Sequence, residues 1–325
     1  GDGVMALPAV ARLRSLLPAG VPLRVLTLAK LQSFWQAVPG VDEVLTFARG
    51  RLQAAELAEV RQRACAAAVI FPNSFGSAWD LWRAGVPQVL GRGGRGRGLL
   101  LHHRLPAWHR RPGQDRWHQA RHDLELAWAL GSRDWGTDFP ALKPQLTEAE
   151  ATTLAPAINA PGKLLVLAPG AAYGPAKQWP VSHFQAVARA WQAEMGQVAV
   201  IGAPGEENAA AAAIADLPGA LNLAGQTNLR QLMALLGGAG AALVNDSGAM
   251  HLGAAMGGRG VAIFGSTDPL ATGPLGGRWV VMRRPPPCAP CLKRVCPLKA
   301  DRYLCLTAIQ PAEVLATLRW VAEAP

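Results

Sequence analysis

A group of polar residues directly follows an apolar run in the C-terminal half of the chain. The run AALVN predicts a buried strand, Asp246, Ser247 and Gly248 come next, and His251 lies about one helical turn later. A helix that begins at such a turn presents free backbone N–H groups and a positive dipole end, which suit a diphosphate. Gly248 would let a phosphate approach the backbone closely. The alternative is an ordinary capped helix with His251 in the core.

Two further loops that follow predicted strands carry charged residues. The loop APGAAYGPAKQWP holds Lys177, whose ammonium group could neutralise a departing phosphate. A plain surface lysine is the alternative. The loop IGAPGEEN brings Glu206 and Glu207 to a helix start, where a carboxylate is favourable in any case and could also accept hydrogen bonds from a ribose. This loop lacks the G-x-G-x-x-G pattern, which argues against a nicotinamide or flavin dehydrogenase.

The elements that must position these residues repeat in both halves of the 325-residue chain. Short apolar runs alternate with longer amphipathic stretches, which is typical of βαβ units. We therefore predict two doubly wound α/β domains, 1–150 and 151–325, joined by a connection rich in Pro, Thr and Gly. Ligands are expected at the carboxyl ends of the strands, in a cleft that the two domains face. The last amphipathic stretch, PAEVLATLRWVAEA, could pack back on the first domain.

A basic stretch interrupts the pattern of the first half. Between Gly91 and His122 there are eight Arg and five His against one acidic residue, with Trp108 and Trp117 interleaved, and the formal net charge of the chain is +10. These residues could hold phosphates and carboxylates of an anionic partner, or touch a membrane surface, or form a solvated loop. Nucleic acid is not expected as a partner, because no helix-turn-helix or stacking platform accompanies the stretch. No apolar run approaches the roughly 18 residues of a membrane-spanning helix.

Four of the five cysteines lie close together near the C-terminus. Their spacing is C-x2-C-x4-C-x8-C, and the four residues are Cys288, Cys291, Cys296 and Cys305. Four thiols this close could hold a structural Zn²⁺ ion, although the spacing is not that of a standard zinc ribbon. One or two disulfides, or free thiols, are the alternatives.

Several of these segments, taken together, resemble the lipopolysaccharide heptosyltransferases of glycosyltransferase family 9. The segments that carry the resemblance are GDGVMALPAV, PGAAYGPAKQWP, VNDSGAMHLGAAMG and FGSTDP, and FPNSFGSAW looks like the subgroup that adds the second heptose. The resemblance implies a GT-B architecture and an inverting transfer of heptose from ADP-heptose to the first heptose of the inner core on Kdo-lipid A. The alternative is a relative that adds the first heptose or a later core sugar.

The resemblance also implies roles for individual residues. Asp2 matches the general base, with a helix N-cap as the alternative, and Lys177 matches the lysine that faces the leaving phosphate. The expected donor-binding residues are Glu206, Asp246, Ser247, Gly248 and His251. The expected acceptor-binding residues are Asn73, Ser74, Arg95 and Arg97. No D-x-D metal motif is evident, so we expect transfer that needs no cofactor.

The family's first strand, which precedes the "GD" segment, has no counterpart in this sequence. We therefore expect an incomplete first sheet and a chain that is weakly active or unstable as it stands. The resemblance implies a cytoplasmic location, peripheral on the inner membrane where the acceptor is anchored.

Overall fold

The computed structural model describes residues 1–107, 117–159 and 164–323, and the chain divides into two compact units. The N-terminal unit comprises Asp2–Pro140, and the C-terminal unit comprises Ala141–Pro325 together with Gly1. The division falls inside the connection rich in Pro, Thr and Gly. Within the described ranges, no helix is both long and apolar enough to cross a membrane.

The described part of the N-terminal unit contains short parallel strands and helices in alternation. Its strands are β1 (Arg24–Leu28), β2 (Glu43–Phe47), β3 (Ala67–Ile70), β4 (Gln88–Arg92) and β5 (His103–Leu105). Its helices are α1 (Asp2–Met5), α2 (Leu7–Leu16), α3 (Gln32–Gln36), α4 (Ala54–Gln62), α5 (Phe75–Arg83) and α6 (Ala120–Ala129). Strands β1 and β2 form one parallel pair, with Arg24 opposite Glu43, and β3, β4 and β5 form a second parallel sheet in that order.

Aliphatic side chains of the strands and of α4 and α5 form one core of this unit, and it includes Leu45, Leu57 and Val89. Helix α2 packs against α6. The buried Arg12 on α2 donates to Asp138 Oδ1 at 2.7 Å and pairs with Asp134 Oδ2 at 2.8 Å. The ends of this unit are therefore joined by a charged contact as well as by apolar packing.

The described part of the C-terminal unit is a doubly wound α/β domain. Its strands are β6 (Leu165–Ala168), β7 (Val198–Val200), β8 (Leu221–Asn222), β9 (Ala241–Asn245), β10 (Arg259–Phe264) and β11 (Arg278–Arg283). Its helices are α7 (Glu148–Ile158), α8 (Val181–Glu194), α9 (Glu207–Ala213), α10 (Leu229–Gly238), α11 (Gly248–Ala255), α12 (Pro269–Thr272), α13 (Leu304–Thr307) and α14 (Pro311–Glu323). The six strands are parallel, in the order β11-β10-β9-β6-β7-β8.

The central strands of this sheet are buried, as the continuous apolar runs predict for a parallel sheet covered on both faces. Every residue of β6 and β9 is buried. One face packs on Trp179, Phe184 and Trp191, which are each fully buried. Helix α14 adds Val314 and Leu318 to the same core, so its apolar face contributes to the core of its own unit.

Candidate active site

The carboxyl ends of three neighbouring strands bring most of the predicted donor-binding residues together. Strand β9 lies between β6 and β10 in the sheet. The loop after β6 carries Lys177, Asp246 and Ser247 follow β9, and Ser266 and Thr267 follow β10. Because the strands are parallel, all three segments meet at one edge of the sheet, which is where ligands bind in folds of this class.

Lys177 and Asp246 form a buried ion pair at this edge. The Nζ atom of Lys177 lies 2.6 Å from Oδ2 of Asp246, and the two side chains are only 13% and 3% exposed. The hydroxyl of Thr267 donates to the same Oδ2 atom at 2.5 Å. The ammonium group also lies 4.8 Å from the centroid of the Tyr173 ring. Lys177 is therefore held by contacts on two sides rather than extending freely into solvent, as the surface-lysine alternative would require.

Asn245, the last residue of β9, fixes the loop that carries Lys177. The side chain is fully buried, and its Oδ1 atom accepts a hydrogen bond from the Trp179 N–H at 3.0 Å. Its Nδ2 atom donates to the Pro169 carbonyl at 2.7 Å. Both ends of the loop that follows β6 are therefore tied to the end of β9. The sequence analysis does not assign Asn245 to the site.

Helix α11 starts at Gly248, with Ser247 as its N-cap residue. The Ser247 side chain makes no capping hydrogen bond. Over the described residues, its Oγ atom and that of the nearby Ser266 are both buried without a partner. Buried hydroxyls normally find a hydrogen-bond partner. A ligand oxygen at this helix start would supply one, in the place where backbone N–H groups already favour an anion. His251, in the next turn, is 5% exposed.

The side chains of the adjacent residues Glu206 and Glu207 have different surroundings in the structure. The carboxylate of Glu206 accepts from the Ala203 N–H at 2.8 Å and lies directly over Gly170, where a Cβ atom would come within 2.1 Å of the Glu206 carboxyl carbon. Only glycine allows this approach. Glu207 is exposed, and hydrogen bonds from its own N–H and from that of Gly205 lower its pKa. Glu206 is therefore the glutamate beside the strand end that leads to Lys177.

The cysteine-rich segment braces this site through its backbone. Tyr173 Oη donates to the Leu292 carbonyl at 2.7 Å, and the Ala176 N–H donates to the Arg294 carbonyl at 3.0 Å. The Leu292 N–H in turn donates to the Ser266 carbonyl at 2.8 Å. Residues between the second and third cysteines therefore contact both the loop that carries Lys177 and the loop that follows β10.

All four clustered cysteines are free thiols in the structure. Burial, together with the neighbouring thiols Cys291, Cys288 and Cys296, raises the pKa of Cys305 to about 11. The Tyr303 N–H donates to Sγ of Cys296 at 3.5 Å, and this bond lowers the pKa of Cys296. Across the described residues, no group of three or more His, Cys, Asp or Glu side chains is arranged to hold a metal ion. The structural Zn²⁺ ion that their spacing suggests therefore stays a prediction.

In the N-terminal unit, Arg97 has a structural position rather than one open to a ligand. Its side chain is fully buried. It donates to the Arg92 carbonyl at 2.6 Å, to the Pro72 carbonyl at 2.6 Å and to Asn73 Oδ1 at 2.9 Å. The expectation that Arg97 itself contacts an acceptor therefore does not fit its burial. The residue ties the loop after β4 to the turn after β3 instead.

The other three predicted acceptor residues lie on the surface of the same unit. Asn73, Ser74 and Arg95 are exposed. Ser74 caps α5 by accepting from the Ser77 N–H at 3.2 Å. Arg95 has a φ of +51°, a left-handed conformation that a tight loop imposes. Because Arg97 joins the two loops, these three residues lie on neighbouring loops. Trp108, also singled out in the sequence, is outside the described residues.

Asp2 is the first residue of α1, and it is exposed. An N-cap residue would precede the helix, so Asp2 does not occupy the N-cap position that the sequence offers as the alternative. Its negative charge acts on Asp123 of α6. Burial raises the pKa of Asp123 to about 7, the charge of Asp2 adds to the shift, and Arg92 opposes it. Asp123 is absent from the sequence-based site, because nothing in its local pattern indicates that desolvation and the charge of Asp2 raise its pKa.

Comparison with known proteins identifies the family. Residues 56–301 match the profile of glycosyltransferase family 9 (heptosyltransferase). The chain belongs to this family. It is 29% identical to lipopolysaccharide heptosyltransferase 2 of Escherichia coli K12 over 305 residues, which cover 87% of this chain and 85% of that protein. It is 31% identical to lipooligosaccharide heptosyltransferase 2 of Haemophilus influenzae over 229 residues, 66% of this chain and 65% of that protein.

The solved structure of E. coli ADP-heptose lipopolysaccharide heptosyltransferase II superposes on the family 9 chain with a TM-score of 0.80. The sequence identity is 26%, and the match covers 99% of this chain and 95% of that one. The GT-B fold and the assignment as a glycosyltransferase enzyme, both expected from the sequence, are thereby confirmed.

Three residues of the site were missed from the sequence: Asn245, Ser266 and Thr267. The signal that could have found the last two is their position directly after β10, which neighbours β9. The signal for Asn245 was weaker, because a polar residue at the end of a buried strand has many possible partners.

Proposed function

We propose that this glycosyltransferase transfers heptose from ADP-heptose to the first heptose of the lipopolysaccharide inner core, with inversion at the anomeric carbon. The observation that carries the proposal is the buried Lys177–Asp246 pair at 2.6 Å, beside two unpartnered serine hydroxyls and the start of α11. A fixed cation and free N–H groups stabilise charge that develops on a departing diphosphate. The names and the extent of the matches to heptosyltransferase 2 proteins support heptose as the sugar.

On the donor side, Lys177 binds the diphosphate, and Ser247 and Gly248 offer it a hydroxyl and backbone N–H groups. Glu206, with its carboxylate over Gly170, accepts hydrogen bonds from the ribose. Asp246 holds the lysine in place through the ion pair. His251, in the next turn of α11, also belongs to the proposed donor-binding residues. These assignments follow the residues that the structure gathers at the strand ends.

On the acceptor side, Asp2 removes the proton from the acceptor hydroxyl as that oxygen attacks the anomeric carbon. The bond between that carbon and the diphosphate oxygen then breaks, and the electron pair leaves with ADP. The exposed Asn73, Ser74 and Arg95 contact the acceptor. Because a Kdo-lipid A acceptor is anchored in a bilayer, we propose that the enzyme works as a peripheral protein at the cytoplasmic face of the inner membrane.

The decisive experiment follows ADP release with ADP-heptose and either monoheptosyl Kdo-lipid A or heptose-free Kdo-lipid A. Release that depends on the monoheptosyl acceptor is the expected result. The Lys177→Met variant should lower kcat by about 10²- to 10³-fold, the usual effect of removing one group that stabilises transition-state charge. Lys143→Met is the matched control, because Lys143 is an exposed lysine of the same unit.

Each other outcome points to a different conclusion. Turnover with only the heptose-free acceptor would assign the enzyme to the first heptose. Equal activity in the two lysine variants would exclude Lys177 from the chemistry. If neither acceptor stimulates ADP release and the protein still binds ADP, the result would support donor recognition and contradict the proposed acceptor.

A further inference from the structure

Three tryptophans and two arginines form a stacked array on the surface of the N-terminal unit, which we call the Trp–Arg ladder. The guanidinium carbon of Arg121 lies 3.6 Å from the ring centroid of Trp117 and 4.8 Å from that of Trp135. Trp135 stacks on Trp128 with centroids 6.0 Å apart, and the Arg133 guanidinium lies 5.1 Å from the Trp128 ring. The five side chains thus form one continuous series of contacts, in the order Trp117, Arg121, Trp135, Trp128 and Arg133.

The ladder is exposed although its residues are among the largest apolar side chains of the chain. Trp117, Trp128 and Trp135 are 54%, 44% and 36% exposed. They lie on or beside α6, whose other face buries Leu124 and Ala127. The core of the unit is therefore complete without the ladder. A cluster of exposed large rings of this kind marks an interaction surface more often than a chance arrangement.

The positive charge of the ladder is not neutralised locally. Among the described residues, neither Arg121 nor Arg133 forms an ion pair with a carboxylate. Two of the acidic residues nearby in sequence pair with other arginines: Asp134 pairs with Arg12 at 2.8 Å, and Glu125 pairs with Arg92. The surface therefore presents aromatic rings and two guanidinium groups.

We propose that the Trp–Arg ladder binds an anionic lipid bilayer surface. Tryptophan prefers the membrane–water interface, where its ring lies among lipid headgroups and its N–H remains solvated. Arginine forms paired hydrogen bonds with phosphate, and a ring stacked on its face does not block those donors. The inference rests on the proposed function, because an enzyme whose acceptor is anchored in a membrane must work at that surface.

The other occupants of such a surface fit less well. A neutral sugar could stack on a free ring face, but it would leave the two guanidinium groups without an anionic partner. A second copy of the chain would bring the same two arginines to the contact, at a net charge of +10 on each copy. An anionic bilayer can accommodate the tryptophan rings and also neutralise the positive charge of the two arginines.

The test measures partition of the full chain onto phosphatidylcholine vesicles with and without phosphatidylglycerol, by co-sedimentation and by the blue shift of tryptophan emission. The Arg133→Gln variant should weaken binding to the anionic vesicles about fivefold, the usual contribution of one arginine at such a surface. Trp128→Ser should weaken binding and reduce the blue shift. The matched controls are Arg189→Gln and Trp320→Ser, which change an exposed arginine and an exposed tryptophan of the C-terminal unit.

Three results would overturn the inference. These are equal binding by the ladder variants and the controls, equal binding to neutral and anionic vesicles, and a dimer of the native chain that the ladder variants abolish. Transfer to an acceptor freed of its acyl chains separates this inference from the proposed function. The ladder variants should keep transfer activity on this soluble acceptor. If the native chain binds vesicles but does not transfer heptose to the soluble acceptor, the result contradicts only the proposed function.

Discussion

The half-buried side chain of Asp123 allows a quantitative prediction about stability and pH. Burial and the charge of Asp2 disfavour its ionised form, and its pKa rises from 3.8 to about 7 despite the attraction of Arg92. The unfolded chain releases this proton near pH 4, whereas the folded chain keeps it until about pH 7. Between these values the unfolded state binds fewer protons, so the free energy of unfolding falls as pH rises.

The size of this effect follows from the shift. Each pKa unit corresponds to 1.36 kcal/mol, so a shift of about three units costs about 4 kcal/mol of stability once pH exceeds 7, and nothing below pH 4. The Asp123→Asn variant keeps the shape of the protonated acid and cannot ionise. We expect it to match the native chain near pH 4 and to exceed it by up to about 4 kcal/mol at pH 8.

Denaturant unfolding followed by tryptophan fluorescence at several pH values measures this difference. The matched control is Asp138→Asn, because the Arg12 guanidinium lowers the pKa of Asp138. That variant should instead be less stable than the native chain by a constant amount above about pH 4, and the deficit should shrink as pH falls below 4 and the native carboxylate takes up its proton. A stability difference for Asp123→Asn that stays constant from pH 4 to pH 8 would refute the reasoning, since burial of an ionisable group must appear as a pH dependence.

Three further substitutions test the contacts that shape the two units. Arg97→Met leaves buried carbonyl oxygens without a donor and should lower the free energy of unfolding by about 2–4 kcal/mol, as measured by urea denaturation. Asn245→Ala leaves the Trp179 N–H unsatisfied and should cost about 1–3 kcal/mol in the same assay, while ADP affinity falls. Gly265→Ala places a Cβ atom 2.6 Å from the Ala176 carbonyl oxygen, so the turn before Lys177 must move. Because this movement displaces the proposed donor site, the KM for the donor should rise more than kcat falls. Unchanged values for any of these variants would contradict the corresponding contact.

The sequence predicts which loops meet at the edge of the C-terminal sheet, and the reason is topological. In a parallel sheet, every loop that follows a strand reaches the same edge, so Lys177, Glu206 and Asp246 could be grouped before any distance was known. The alternation of apolar runs and amphipathic stretches fixes the strands with similar certainty, because a buried parallel strand has few polar positions. The family resemblance and the GT-B fold are confirmed.

The parts that the sequence could not predict depend on contacts between residues that are distant along the chain. Arg97 looks like any residue of a basic loop until three separate acceptors surround it. Asp123 lies on an amphipathic helix like any helical aspartate, and only the folded structure shows that its surroundings raise its pKa. The structural metal that the cysteine spacing suggests stays a prediction, because spacing along a chain does not fix the directions in which thiols point.

The pairing of Lys177 with Asp246 has a consequence for how the site works. A free lysine side chain loses up to about 2 kcal/mol of rotamer entropy when a ligand orders it. Here the ion pair and the Tyr173 ring hold the ammonium group in place during folding, so the cation is in position before a diphosphate arrives. The hydroxyl of Thr267 donates to Asp246, and Asn245 holds the loop that carries Lys177. In the proposed reaction, charge that develops on the departing ADP would meet the dipole of α11 and the fixed ammonium group of Lys177, so little reorganisation would oppose the transfer.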